Sequence, residues 1–266
     1  MINRVVLVFC FCFFLGSPLL GQLGTGHASG ITVDITGNVL DATAAAGAEV
    51  GPEPYVQMVD QTTADVQSVT AANVNLFTFE SNAGANVATV MTRCDDAIGA
   101  QLHRSSAELD DVDVLSGILV VGNFVTITAS NISTTAEVTG ACGATGGNDL
   151  TEAGTSSVQG LTVSVLGVNL VNNMTTTNPI AIDLSSTALG ILGVTGSLFI
   201  NRVTLSDGGA SGTGSATAVG LSLSVDAGIG VVGLGNVARI SITIAESFAS
   251  RDCDNLPVEL MSFSVE

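Results

Sequence analysis

Residues 216–246, ATAVGLSLSVDAGIGVVGLGNVARISITIAE, leave the backbone few choices. Leu221, Leu223 and Val225 alternate with Ser222, Ser224 and Asp226; Ala238, Ile240, Ile242 and Ile244 alternate with Arg239, Ser241 and Thr243. An apolar period of two puts every second side chain on the same side of a pleated strand, so each run has one buried and one wet face. The intervening AGIGVVGLG is glycine-rich and free to reverse direction. The segment predicts a β-hairpin with one buried face. Looser copies of its first strand stand at 158–165 (VQGLTVSV) and 115–121 (LSGILVV).

The same pattern recurs along the chain. Strands are predicted at 31–36, 73–81, 86–92, 112–139, 160–169 and 181–205. Turn chemistry separates them, at GPEP (51–54), NAGA (82–85), NNMTTTNP (172–179) and SDGGASGTGS (206–215). Residues 95–114 form the most polar stretch and read as a short helix or an exposed loop leading into a strand. No window holds a capped helical period. With one Tyr and no Trp, the core must be thin and packed by Val, Leu, Ile and Ala, as between two sheets about 10 Å apart. The expectation is an all-β antiparallel sandwich. Its echoes, at Gly117, Gly160 and Gly220, keep no fixed period, which places an irregular β-solenoid second. The glycine-rich polar run 141–157 is the predicted boundary if the chain folds as two similar β halves.

The amino terminus, MINRVVLVFCFCFFL, has an early arginine and a short apolar run, the pattern of a secretory signal peptide. The expected cut follows Ala28, with Gly21 as an alternative, leaving residues 29–266 as a secreted β-rich domain. The run is short for a membrane span, and no second one follows, so no transmembrane anchor is expected in the mature chain. Acidic residues number 24 against 6 basic ones, for a net charge of −18. Such a surface repels phosphate backbones, which argues against nucleic acid as a partner. All the basic residues are arginines, so a Walker lysine, a lysine Schiff base and a Lys–Asn isopeptide cross-link are excluded.

Exported proteins oxidise their thiols, and Cys94, Cys142 and Cys253 remain after the signal peptide. Three pairings are open. Cys142–Cys253 is favoured because TGACG and SRDCD end similar segments. No Cys-x-x-Cys occurs, so a zinc site is poorly supported. His103 is the one histidine away from the cleavage site, and no Gly-x-Ser-x-Gly elbow accompanies it. It reads as an exposed surface residue rather than a catalytic base. A carboxylate pair for glycoside cleavage would lack the aromatic platform that sugars use, given the absent tryptophan. The best chemical candidate is calcium. Asp110, Asp111 and Asp113, beside Glu108, are its candidate ligands, although EF-hand spacing is absent. Asn131-Ile132-Ser133 and Asn173-Met174-Thr175 are glycosylation sequons.

The motifs follow a recognisable order. Ser156-Ser157-Val158 precedes Gly160-Leu161-Thr162-Val163; Asn178-Pro179-Ile180 leads into LGVTGSLFINRVTLS; then come SATAVGLSLSV and ARISITIAESFASRDC. This succession, from about residue 29 to Cys253, resembles the choice-of-anchor P family of secreted bacterial surface proteins. The resemblance implies a β-rich extracellular region and carries over no catalytic residues. LPVEL at 256–260 looks like the strand that precedes a sorting signal in some secreted bacterial proteins, and it equally suits a last domain strand. The leading expectation is a secreted or cell-surface, non-enzymatic structural or adhesive protein that self-associates through strand edges or holds extracellular matrix polymers. An extracellular cation- or polysaccharide-binding module comes second, and an extracellular hydrolase third.

Overall fold

The computed structural model describes residues 24–37, 40–54, 60–66, 70–74, 77–82, 86–95, 100–118, 122–140, 150–207, 213–227 and 238–252. The strands are β1 (Gly24–Gly37), β2 (Leu40–Pro54), β3 (Asp60–Val66), β4 (Thr70–Val74), β5 (Phe77–Asn82), β6 (Asn86–Asp95) and β7 (Ala100–Ile118). They continue as β8 (Gly122–Gly140), β9 (Thr151–Val165), β10 (Val168–Thr176), β11 (Ile180–Asp183), β12 (Val194–Ser206), β13 (Thr213–Ala227) and β14 (Ala238–Asp252). One helical turn, α1 (Ala188–Ile191), sits between β11 and β12.

Two antiparallel sheets pack face to face as a β-sandwich. One has the order β11-β12-β13-β14-β1-β2, and the other runs β10-β9-β8-β7-β5-β4, with β6 pairing both β3 and β7. β14 lies over β7 and β8, and β13 over β8 and β9. The layers are not sequential halves, because the first two and last four strands share a sheet. β8 and β9 pair directly across the predicted boundary, Thr139 opposite Thr151.

The hairpin read from sequence is β13 against β14, with Leu221 opposite Ile244, Leu223 opposite Ile242 and Val225 opposite Ile240. These residues, with Ile127, Leu161, Val163 and Leu198, are wholly buried in the main core. Each such side chain contributes about 1.5–3 kcal/mol in removing apolar surface from water.

A line of backbone irregularity crosses both sheets. Asp111, Gly160, Asn201 and Ala245 have φ of 49°, 63°, 53° and 54°. Asn201 and Ala245 lie either side of Gly220 in register, and Asp111 and Gly160 either side of Ser130. A left-handed residue turns the pleat over, so the inward parity switches at the line. β7 buries Ser105, Ala107 and Leu109 before it and Val112 and Val114 after it; β13 buries Ala216 and Ala218, then Leu221, Leu223 and Val225. Gly220 is required there, because a Cβ would lie 2.3 Å from Ile132 Cγ2.

The line divides the interior. On one side the core is aliphatic. On the other it is small and polar, with His103, Ser105, Thr134, Ser156, Ser247 and Arg251 buried among alanines. Hydrogen bonds join the layers there. Ser105 Oγ donates to the Phe248 carbonyl at 2.6 Å, Arg251 Nη1 donates to the Gly140 carbonyl at 2.6 Å, and the Thr134 and Ser247 hydroxyls bond each other.

Several local expectations are corrected. Residues 100–114, expected as helix or loop, belong to β7; GPEP ends β2; β10 runs on to Thr176; and Thr151–Ser157 opens β9. In each case ladder pairing with a neighbour overrides the local turn or polar composition.

Candidate functional site

At one lateral corner no described strand lies outside the sandwich. β10 pairs β9 only as far as Thr176 opposite Val158. β11 pairs β12 only from Ile180 opposite Ile200 to Asp183 opposite Ser197. The chain crosses from one sheet to the other between these points, at residues 177–179. Beyond the crossing, β9 at 151–157 and β12 at 202–206 have no neighbour on their outer side among the described residues. Their other sides are fully paired, β9 to β8 and β12 to β13.

Asn201 pins this corner. It is buried and left-handed; its Oδ1 accepts from Ser156 Oγ at 2.8 Å, and its Nδ2 donates to the Thr176 carbonyl at 2.8 Å. One side chain therefore ties β12 to β9 and to the end of β10. Asn suits the place because it tolerates positive φ and carries both a donor and an acceptor. Beside it opens a cleft of about 510 Å³ lined by Ser133, Ser156, Thr177, Pro179, Asn201 and Val203.

Val203 and Leu205 stand opposite Ala218 and Ala216, whose side chains are buried, so they lie on the inward side of the sheet. They are nevertheless 38% and 50% exposed. Val203 rests over Gly154, where a Cβ would come within 2.6 Å of its Cγ1. Arg202, on the outward side, places its guanidinium 5.3 Å from the centre of the Phe199 ring. The corner thus combines inward-facing aliphatics with a stretch of β12 that pairs with no described strand on its outer side.

The residues singled out in the sequence lie elsewhere. Asp110, Asp111 and Asp113 fall on the outer face of β7, since Leu109, Val112 and Val114 take the inner one. Asn131 Nδ2 donates to Asp110 Oδ1 at 2.7 Å and to Glu108 Oε1 at 3.3 Å. Among the described residues no three His, Cys, Asp or Glu side chains are grouped to hold a metal ion. Asn131 of the first sequon is engaged in those bonds. Asn173 of the second is exposed, with φ of 47°. Cys142 and Cys253 lie outside the described residues. The strand ends leading to them meet through the Arg251–Gly140 hydrogen bond.

His103 is not a surface residue. It is 1% exposed, and its Nδ1 lies 3.0 Å from the Ser250 carbonyl, so that nitrogen carries the proton. Its Nε2 has no partner among the described residues. Burial pushes its pKa down to about 4; the Ser250 carbonyl opposes this, and the Arg251 charge adds to it. Arg104 beside it forms an ion pair with Glu137.

Asn201, Val203 and Leu205 were not singled out in the sequence. Their only trace is the strand pattern of FINRVTLS, because the ends of β10 and β11 decide which part of β12 is uncovered. Among the described residues, no helix is long and apolar enough to cross a membrane. Compared with protein-family models, characterised proteins and solved structures, the chain has no match.

Proposed function

We propose that the protein is a secreted, non-enzymatic structural module of the cell surface that joins copies of itself by strand addition at the open corner. The observation that carries this reading is the edge of β12 that no described strand covers, where Val203 and Leu205 face inward yet stay half exposed. An added strand would satisfy the backbone groups of that edge and bury both side chains. The signal-peptide pattern and the resemblance to choice-of-anchor P proteins support a surface location.

The net charge of −18 makes copies repel, so association strengthens with salt. Light scattering on the purified chain over a range of concentration and salt tests the reading. The expected result is a mass that grows with both. Thr204→Pro, which removes a ladder donor and places a ring at the edge, and Leu205→Asp are expected to hold the chain monomeric. A wild-type chain monomeric at every concentration, or growth unaffected by both substitutions, refutes it.

A further inference from the structure

We infer that the strand received by the β12 edge is the segment 261–265 of this same chain, and that exchange of this segment between copies is how they join. The inference rests on the strand-acceptor reading above and names the occupant. Three observations carry it.

The first is pattern. In Met261-Ser262-Phe263-Ser264-Val265, apolar residues alternate with serines, the period of a strand with one buried face. Val258 and Leu260 fall on the opposite parity, so the one-faced strand pattern is confined to residues 261–265. An acceptor edge whose uncovered inward residues are Val203 and Leu205 requires such a strand.

The second is position and direction. β14 ends at Asp252, opposite Thr213 of β13, whereas β12 ends at Ser206, opposite Ser215. The tail therefore departs from the end of the sandwich where the open stretch of β12 begins. β12 and β14 both run antiparallel to β13 and so parallel to each other. A chain that leaves β14 and turns back along the sandwich lies antiparallel to β12, the geometry of every other pair in the sheet.

The third is reach. Passing from β14 across β13 and β12 to the position beyond is three strand spacings, about 14 Å, which an extended chain covers in about five residues. Residues 253–260 supply more than that length, and Pro257, which has no N–H to offer a ladder, stands within the crossing. Residues 261–265 then lie beside the open stretch of β12, with Met261 level with Leu205 and Phe263 level with Val203, short of Ile200, where β11 occupies the edge. The same contact is open to the tail of a neighbouring copy, and swapping an identical element between protomers is a low-cost route to assembly.

The test uses the full chain. Amide hydrogen exchange is measured at 202–206 in the wild type and in a variant carrying Met261→Asp, Phe263→Asp and Val265→Asp. A synthetic peptide of residues 256–266 is then added to the variant. These amides are expected to exchange at least about tenfold faster in the variant, and the peptide is expected to restore protection. A peptide carrying Phe263→Asp should fail to restore it, and Leu205→Asp in the chain should abolish the effect. Unchanged exchange together with no peptide effect overturns the inference. If the triple variant does not fold, labelled peptide titrated into the wild type must bind saturably and be lost with Leu205→Asp; no binding overturns the inference. Tail-dependent protection in a chain that stays monomeric keeps the tail at the β12 edge of its own chain and overturns both the exchange between copies and the assembly reading. Assembly blocked by Thr204→Pro but untouched by the tail substitutions overturns the inference and leaves the assembly reading standing.

Discussion

Acid should weaken this fold through His103 by an amount that the structure sets. The ring is buried in the polar half of the interior with one nitrogen bonded to the Ser250 carbonyl and the other facing no partner among the described residues. Protonation would create a buried cation near Arg251 with a second N–H that has nothing to bind, so the pKa falls from 6.5 to about 4. The unfolded chain therefore takes up the proton more readily than the native one. The associated stability is fully present above pH 6.5, is lost as pH falls toward 4, and is gone below that, where both states are protonated. The whole difference is worth about 3 kcal/mol, of which about 2 kcal/mol is lost by pH 5. Urea unfolding of the wild type and of His103→Gln, each near pH 7.5 and pH 5, measures it. The acidic side chains titrate in both proteins and cancel in the comparison. The wild type is expected to lose about 2 kcal/mol more than the variant across this interval. An equal loss would refute the argument and place the histidine in contact with water.

Three further outcomes follow from single positions. Asn201→Ala removes the bonds to Ser156 and Thr176 while keeping a left-handed backbone, and should cost about 2–4 kcal/mol in urea unfolding; a cost below about 0.5 kcal/mol would mean that the corner does not depend on it. Gly220→Ala places a Cβ 2.3 Å from Ile132 Cγ2 and 3.2 Å from the Ile244 carbonyl, so it should destabilise by about 1–3 kcal/mol; a neutral result would show that β8 and β13 separate freely. Because Arg251 Nη1 holds the Gly140 carbonyl at 2.6 Å, the segments that carry Cys142 and Cys253 leave neighbouring strand ends. Intact mass after alkylation, with and without prior reduction, should show two thiols released by reduction and assign the bridge to those two residues; three thiols free from the outset would contradict it.

Much of the sandwich is visible in the alternation itself. Leu221 to Val225 and Ile240 to Ile244 keep a strict period of two, and their pairing in β13 and β14 gives local preference nothing to overrule. β7 was hidden for two reasons. Its alternation changes phase at Asp111, so a window spanning the change averages to no period. Its inward residues before the change include His103 and Ser105, polar side chains that in sequence suit the wet face and are buried between the layers. The acidic cluster was legible as a cluster, but β7 spreads its carboxylates along one wet face.

What the chain determines by itself is the strand, because a period of two is a local property that each run carries wherever it is placed. Its composition likewise sets a core packed mainly by Val, Leu, Ile and Ala, with Phe124 as the phenyl ring buried among the described residues. Which strands share a sheet, and which edge is left open, came only with the tertiary structure. β1 and β14 are far apart in sequence and adjacent in space. Among the described residues, a stretch of β12 lacks an outer neighbour because β10 and β11 stop short of it, and the line of irregularity forms only when neighbouring strands place the left-handed Asn201 and Ala245 either side of Gly220. Pairing across such separations depends on how whole faces fit together, and no single segment encodes that fit.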